Sequence, residues 1–348
     1  MPTPRTPNNI LADALRRHQL QVHRFATSLN GTVQQRIVGV RADLVRILAQ
    51  GDPTEPTRQG DKINRINAVT AEANRAVSTV YRGINSHTAS ELTDLAATDQ
   101  AVVAKIITKN SSAKGISTIP ARKVDAIVER ALVNGAPSSK WWQRQSADVV
   151  KRYHDEINQG MRAGESVGDL IQRVRGTAAQ QYQDGILRVP LANAEALVRS
   201  SVLSVANDMR ATEFAANADI LAGRAVLVTF DDRTCPQCMG FAGALYDHSG
   251  DPLPESPVQQ WLPSDGLPLH FSCRCIWTPY LRDEAPPDDL SFENWLVDQP
   301  AGDQRDILGP QWYAAWKSGE LKDLRDRIDG KGRPITLKEL RGETQKAA

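Results

Sequence analysis

The sequence lacks most of the features that mark a secreted, a membrane or a strongly nucleic-acid-binding protein. It has only four cysteines among 348 residues, and no apolar run approaches the length of a membrane span. The first residues contain no apolar signal core, so we expect a protein that starts in a reducing cytosol and contacts no membrane. Lys and Arg number 42 against 41 Asp and Glu, and the net charge of +1 provides no global field for attracting nucleic acid.

The charges are nevertheless distributed unevenly. Residues 1–82 carry twelve Lys/Arg and six Asp/Glu, a net of +6, whereas residues 281–306 carry two Lys/Arg and eight Asp/Glu, a net of −6. Such asymmetry suits a protein with two different neighbours, although charge runs are equally typical of solvated faces. The length allows two or three domains and a sizeable core.

The amino-terminal part has the spacing of long amphipathic helices. Apolar residues recur at steps of three and four from Leu11 to Leu29 and from Val33 to Ile47, with Gly31 at a break in phase. The opposite face of these helices is rich in arginine. It could be exposed to solvent in a hairpin of two antiparallel helices, or it could contact DNA or an acidic partner. It carries Arg16, Arg17, Arg24, Arg36, Arg41 and Arg46.

Several residues predict where elements begin and end. Gly83 is expected to end a helix, and Thr88 with Glu91 to form a capping box that starts the next one. Ser166 is a candidate cap for a later helix, and the paired tryptophans at 141–142 are expected in the core. We further predict one helix over residues 191–222, a strand at 225–230 paired with 276–280, and a capping box at 336–339.

All four cysteines lie in two short motifs. Residues 231–238 read Asp-Asp-Arg-Thr-Cys-Pro-Gln-Cys, and residues 268–275 read Pro-Leu-His-Phe-Ser-Cys-Arg-Cys. The spacing of Cys235 and Cys238 lets both sulfurs reach one ion, and Cys273 and Cys275 would share one face of a strand. With His270 there are five candidates for the four positions of a structural Zn²⁺ site. We prefer Cys235, Cys238, His270 and one or both of Cys273 and Cys275.

Other readings of the cysteines stay open at this point. They could form two disulfides, although a reducing cytosol disfavours that, or they could be buried apolar thiols. A catalytic zinc is less favoured because nothing nearby has the pattern of a general base. His248 is expected to be a loop histidine. The proline-rich loop at 247–269 needs to be held at its ends to stay ordered, and a shared metal would do this.

These patterns together predict an α+β protein, with a mostly helical body, a small zinc-pinned β knob and a helical C-terminal tail. Residues 1–8 are expected to be disordered and residues 111–115 to form a linker. Four consecutive domains are expected. They are a basic helical arm at 1–115, a central helical domain at 116–222, a Cys/His metal-binding β knob at 223–281, and an acidic linker with the C-terminal tail at 282–348.

The two cysteine motifs resemble those of the phage head-morphogenesis family, the minor head proteins of tailed phages typified by the F protein of phage Mu. The first motif matches an Asp-x-Arg-Thr-Cys-x-x-Cys turn, and the second a proline-rich approach to His-x-x-Cys-Arg-Cys. Similar features recur at Gly164–Leu170, in the helix through Arg199, and at Trp295-Leu296, Ile307–Gly309 and Thr336–Leu340. The likeness covers residues 145–345, is specific at the cysteine motifs and is weaker elsewhere.

The sequence departs from the family pattern in three places. Ser200 stands where many members have Thr, and Ser201 where an acid is common. The approach to His270 has a single proline, Pro268, where the family has two. None of these positions is a proposed ligand.

The resemblance implies structural work in a virion, without enzymatic activity. We expect a minor head protein at the portal vertex that contributes to head assembly and DNA packaging, and that is in the host cytoplasm during assembly. The portal protein is the expected partner, the major capsid protein and packaged DNA are further ones, and several copies would surround the portal.

Two other functions are weighed against this one. A nuclease of the His-metal-finger type would use His248 after the first cysteine motif, but the prolines that follow leave no helix for a second metal ligand. A zinc-dependent nucleic-acid-binding module would instead show salt-sensitive binding through the arginine-rich face.

Overall fold

The computed structural model describes residues 6–55, 59–111, 115–262, 266–287 and 290–342. Parts of four expected segments lie outside these ranges. They are residues 1–5 of the disordered start, 112–114 of the linker, 263–265 of the proline-rich loop and 288–289 of the acidic linker. Residues 6–8 of the start are described, and the expectation of disorder is wrong for Pro7 and Asn8, which open the first helix.

The described chain is mostly helical with a small strand component, as the α+β prediction stated. None of its helices has the length and apolar character needed to cross a bilayer. The helices are α1 Pro7–Gly51, α2 Gln59–Asn110, α3 Ala121–Arg130, α4 Ser138–Ala163, α5 Val167–Arg175, α6 Arg188–Ala215, α7 Pro236–Gly240, α8 Phe292–Val297, α9 Ala301–Leu308, α10 Pro310–Lys317 and α11 Leu337–Leu340. The strands are β1 Leu132–Val133, β2 Ala136–Pro137, β3 Leu221–Leu227, β4 Leu245–Tyr246 and β5 Ile276–Leu281.

The first two helices are longer than the sequence predicts. Gly31 lies inside α1, and the buried positions continue past it at steps of three and four without a break in phase. Gly83 lies inside α2, and Thr88 is a buried helix residue whose hydroxyl donates to the carbonyl of Ile84 at 2.8 Å. The predicted helix end and capping box are therefore wrong. A glycine inside a helix costs only about 1 kcal/mol, which the continuous buried stripe outweighs.

The chain forms two compact units built from non-consecutive segments. The first unit comprises Met1–Val22, Thr93–Gly135 and Val202–Ala348, and the second comprises His23–Leu92 and Ala136–Ser201. The four consecutive domains stay a prediction.

In the second unit, helices are joined by aromatic and backbone contacts. Tyr153 of α4 donates a hydrogen bond to the carbonyl of Leu44 at 3.3 Å, and Tyr81 of α2 packs against the buried Trp142 with 6.3 Å between ring centres. Ser166 caps α5 as predicted, and it does so in a capping box with Asp169. Trp142, near the start of α4, is buried, which confirms its predicted core position. Its neighbour Trp141 is only half-buried.

The arginine-rich face of α1 is divided between internal contacts and solvent. In the second unit, Arg36 donates to the carbonyl of Gly83 at 3.2 Å, and Arg41 lies over the ring of Tyr182 at 5.4 Å. In the first unit, Arg16 lies 4.5 Å over the ring of Phe230. The exposed members of the set are Arg17, Arg24, Arg36 and Arg46.

The first unit contains a three-stranded antiparallel sheet in the order β4-β3-β5. Ala225 pairs with Thr278 and Val226 with Trp277, which confirms the predicted pairing of the two segments. The preceding helix, α6, ends at Ala215, so the single helix predicted over 191–222 is too long at its carboxyl end. Asn217 explains this end, because its amide donates to the carbonyl of Glu213 at 2.7 Å and competes with the helix backbone.

A fully buried ion pair joins α2 and α6 in the first unit. Arg210 binds Asp99 through two nitrogens at 2.9 and 2.7 Å, and His18 contacts the same carboxylate at 2.8 Å. Burial acts to raise the pKa of Asp99, but the charge and bonds of Arg210 and His18 lower it. Glu213 is also buried, both of its carboxylate oxygens lack a partner among the described residues, and burial raises its pKa to about 8.

The tail of the first unit follows its predictions. Its first helix, α8, contains Trp295, which stacks on Phe230 with 6.0 Å between ring centres. The helix α9 ends at Gly309, the last residue of the Ile307–Gly309 segment that resembles the family. Thr336 caps α11 in the predicted capping box with Glu339.

Candidate metal centre

The first cysteine motif forms a turn that leads from β3 into α7. Cys235 is the N-cap of this helix, Pro236 takes its first position, and Cys238 lies one turn further on. The sulfur of Cys235 accepts a hydrogen bond from the backbone nitrogen of Cys238 at 3.4 Å. Such a bond stabilises the thiolate form, which is the form that binds metal.

The second motif repeats this device immediately before β5. The backbone nitrogen of Cys273 donates to the carbonyl of His270 at 3.1 Å, which closes a tight turn through Ser272 at a left-handed φ of 61°. The sulfur of Cys273 in turn accepts a bond from the backbone nitrogen of Cys275 at 3.4 Å. Both motifs therefore present one sulfur that is stabilised by a backbone N–H group.

The structure brings all five predicted ligand residues together in the first unit. They form two overlapping groups, Cys235 with Cys238 and His270, and Cys238 with Cys273 and Cys275, and the ligand atoms of each group lie within 4.8 Å of one another. The thiols of the second group are buried, whereas Cys235 and His270 are half-buried. These clusters could hold a metal ion.

The distances within the groups resemble the edges of a tetrahedral site. The His270 Nε2 atom lies 3.1 Å from the sulfur of Cys235 and 3.4 Å from that of Cys238, and the sulfurs of Cys238 and Cys273 are 3.7 Å apart. Tetrahedral zinc with ordinary bond lengths places its ligand atoms about 3.5 to 3.8 Å apart. The 3.7 Å separation is far longer than a disulfide of about 2.05 Å, and all four cysteines are free.

The imidazole of His270 is oriented by its own backbone neighbour. Its Nδ1 atom lies 2.8 Å from the carbonyl oxygen of Phe271. A carbonyl can only accept, so this contact places a proton on Nδ1 and leaves Nε2 facing the sulfurs, where its lone pair would bind a metal that displaces the second proton. Metal-binding histidines are commonly fixed in this way by a group outside the ligand set.

The protonation preferences of the five residues differ. A hydrogen bond with Cys238 is the largest influence on Cys235 and, with His270, lowers the pKa of this thiol to about 4. Bonds with Cys238 and Cys275 lower the pKa of Cys273, whereas the pKa values of Cys238 and Cys275 are raised. The bond to Cys235 raises the pKa of His270 to about 9. A bound metal would have to displace the protons of its ligands, so its affinity would increase with pH.

An ion pair links the two motifs outside the ligand set. Arg274, between the last two cysteines, binds both carboxylate oxygens of Asp231, with 2.6 Å between Nη2 and Oδ1. The same Asp231 accepts bonds from the backbone of Arg233 at 3.0 Å and from the hydroxyl of Thr234 at 3.2 Å. Burial acts to raise the pKa of Asp231, but Arg274 lowers it, so the carboxylate stays ionised. This explains the Asp and the Thr that precede the first cysteine.

Two supports of the site were not found from the sequence. The side chain of Asn207 on α6 donates to the carbonyl of Cys275 at 3.1 Å and accepts from the backbone nitrogen of Trp277 at 2.9 Å, which holds the start of β5 against α6. An isolated asparagine in a helical pattern carries no signal of such a role.

The second missed support is the carboxyl-terminal segment 324–332, here called the C-terminal clasp. Its Arg327 donates to the sulfur of Met239 at 3.4 Å, and the carbonyl of Gly332 accepts from Gln237 at 3.0 Å. Gly240 is in close contact with the clasp, because a Cβ atom there would lie 2.6 Å from a side-chain carbon of Ile328. The clasp therefore covers α7, the helix that carries the first cysteine pair.

His248 lies apart from these clusters. It follows β4 in a turn, and its Nε2 atom is 3.0 Å from the carbonyl oxygen of Leu221. Among the described residues it belongs to neither metal-binding group.

Comparison with known proteins identifies no relative of the chain. No protein-family model, no curated protein and no solved structure matches the chain. The functional argument therefore depends on the site and on the sequence motifs that form it.

Proposed function

We propose that this chain is a structural minor head protein of a tailed phage, bound at the portal vertex, where it contributes to head assembly and DNA packaging. One observation carries the proposal: the two motifs on which the family resemblance depends converge in one buried cluster. They are further joined by the ion pair of Asp231 and Arg274, which uses the residues of the motifs that bind no metal.

The ion that fits this cluster best is Zn²⁺. Thiolate and imidazole are its preferred ligands in structural sites, and the distances given above suit a tetrahedron. Two separate tetrahedral sites would need eight ligand positions, and the cluster offers five residues with Cys238 common to both groups. A single ion on Cys235, Cys238, His270 and Cys273 is therefore the arrangement we propose, with Cys275 beside it. Binding it would draw Cys273, which groups with Cys238 and Cys275 here, towards Cys235 and His270.

A structural role suits the site better than a catalytic one. Catalytic zinc keeps one position open to water or substrate, whereas structural zinc is enclosed by four protein ligands. Here Cys238 and Cys273 are 5% and 1% exposed, Cys235 and His270 are half-buried, and the clasp covers the adjoining helix. Zinc bound here would tie both ends of the segment 239–269 to the sheet and would fix the surface that this segment forms.

The proposed partner is the portal protein, with the major capsid protein and packaged DNA as further partners and several copies around the portal. Arg17, Arg24, Arg36 and Arg46 are exposed on the α1 face and could meet an acidic partner or DNA. The acidic stretch at 281–306 would suit a different neighbour.

The test is genetic and biochemical. In the phage that encodes the chain, removing its gene should leave heads that are not filled with DNA, and the chain should be present in purified virions. Co-expressed portal protein should be recovered with the tagged wild-type chain. Cys235→Ser changes a proposed metal ligand, and Ser249→Ala, a change at the surface of the segment 239–269, is its control. The portal protein should no longer be recovered with Cys235→Ser but should still be recovered with Ser249→Ala.

Two results would contradict the proposal. One is a chain that is absent from virions and recovers no portal protein. The other is cleavage of plasmid DNA by the purified chain with Mg²⁺ that His248→Ala removes, which would favour a nuclease instead.

A further inference from the structure

Arg327 of the clasp is a buried cation without a carboxylate partner among the described residues. It is 4% exposed, and it lies at the end of a short turn of 3-10 helix, Leu324–Arg327. Its Nη1 atom donates to the sulfur of Met239 at 3.4 Å, its guanidinium group lies 4.6 Å over the ring of Trp312, and its Nε atom has no described acceptor. Neither contact supplies a negative charge.

A buried charge of this kind is costly unless an opposite charge accompanies it. Burial lowers the pKa of Arg327 to about 10, and the Cys235 thiolate is the group that acts to raise it. Met239, which Arg327 contacts, directly follows Cys238 on α7. Through Met239, Arg327 adjoins the helix that carries Cys235 and Cys238, and the thiolate cluster is the anion that this contact places next to it.

The other arginine at the site is already balanced. Arg274 forms its two-point ion pair with Asp231, and this pair contributes no net charge to the surroundings. Arg327 thus leaves a single positive charge for the metal centre to offset.

The charge of the centre depends on the number of thiolates. Zn²⁺ with two thiolates and neutral ligands has no net charge, three thiolates with one imidazole give −1, and four thiolates give −2. Only the set with three thiolates matches one buried arginine.

We infer that the metal centre has three thiolates and one imidazole, and that Arg327 is the buried counter-charge which the C-terminal clasp delivers to it. The inference rests on the proposed zinc site on Cys235, Cys238, His270 and Cys273, and adds the counter-charge that favours this three-thiolate set. It also makes metal binding and docking of the clasp mutually favourable, since each supplies a charge that the other needs.

The test compares Arg327→Met with Arg327→Lys and with Arg325→Met. Arg325 is the matched control, because it lies in the same turn and also contacts the knob, through the carbonyl of Ala242 at 3.2 Å, but it has its own partner in Asp323. The full-length chains are loaded with zinc, and the zinc affinity is measured by competition with a chromophoric chelator. A second measurement replaces zinc by Co²⁺ in the wild-type chain, since the intensity of the thiolate-to-cobalt charge-transfer band counts the bound thiolates.

Arg327→Met should weaken zinc binding by about 10- to 100-fold, as loss of a group outside the ligand set commonly does. Arg327→Lys keeps the charge and should recover most of the affinity, whereas Arg325→Met should change it much less. The cobalt band should correspond to three thiolates, a result that needs no variant to fold. Unchanged affinity in Arg327→Met, or a band that corresponds to two or four thiolates, would overturn the inference while leaving the zinc site in place. A wild-type chain that binds no metal would instead refute the proposed zinc site.

Discussion

The clearest consequence of a metal in this cluster concerns the proline-rich segment between its two halves. Bound zinc would connect Cys238 to His270 and close a loop over residues 239–269. By analogy with a disulfide across about 30 residues, this closure is worth about 3 to 4 kcal/mol in the chain-entropy treatment. Removing the metal, by chelation or by Cys235→Ser, should therefore destabilise this segment by a similar amount.

Hydrogen exchange measured by mass spectrometry can test this magnitude. A loss of about 3.5 kcal/mol corresponds to exchange that is roughly 300-fold faster, since 1.4 kcal/mol is a factor of ten. The faster exchange should be confined to residues 231–280. Peptides that contain Tyr81 or Tyr153, both in the second unit, are the internal control, and their exchange rates should not change.

Equal exchange of the segment 231–280 with and without the metal would refute this reasoning. It would mean that the pairing of β3 with β4 and β5 already orders the segment and that the metal adds nothing. Faster exchange throughout the chain would also contradict it, because the metal would then support both units instead of one loop.

Three further predictions concern the first unit. Asp99→Asn should lower the free energy of unfolding by about 3 to 5 kcal/mol in urea titrations, because it leaves Arg210 buried and unpaired. The double variant Asp99→Leu with Arg210→Met removes both charges and should lower the free energy of unfolding far less. Equal losses in the two variants would argue against a buried charge. The pKa of Glu213 is about 8 in the folded chain against an ordinary 4.5, so between these pH values the folded chain holds a proton that the unfolded chain has released. The free energy of unfolding should therefore decrease as the pH rises from 4.5 to 8, by at most about 1.4 kcal/mol per pH unit. Glu213→Gln should remove this slope, and an unchanged slope would show that the side chain is solvated. Gly240→Val should displace Ile328 and expose the clasp to trypsin, and an unchanged cleavage pattern would show that the contact is not tight.

The amphipathic spacing predicted the helices better than their ends. Positions such as Leu15 and Ile37 are buried as the pattern indicates, because a helix has one apolar face whatever it packs against. Glycine and capping signals failed at Gly83 and Thr88, where a long buried stripe outweighs a small local cost. The early end of α6 depends on a side-chain bond of Asn217, which no local pattern reveals.

The cluster that could hold a metal was more predictable than its surroundings. Cys235, Cys238 and His270 converge as their spacing indicated, because each motif is a short turn whose geometry is set locally. The supports at Asn207 and Arg327 come from segments that are distant in sequence, and only the fold brings them to the site. Which of Cys273 and Cys275 completes the ligand set depends on a turn before β5, for which spacing alone gives two answers.

The most direct test of the central claim is the metal content of the full-length chain, purified without added metal and measured by inductively coupled plasma mass spectrometry. The account predicts one zinc per wild-type chain, and none in Cys235→Ser. A wild-type chain that contains no metal, with all four native thiols open to a thiol reagent, would contradict it.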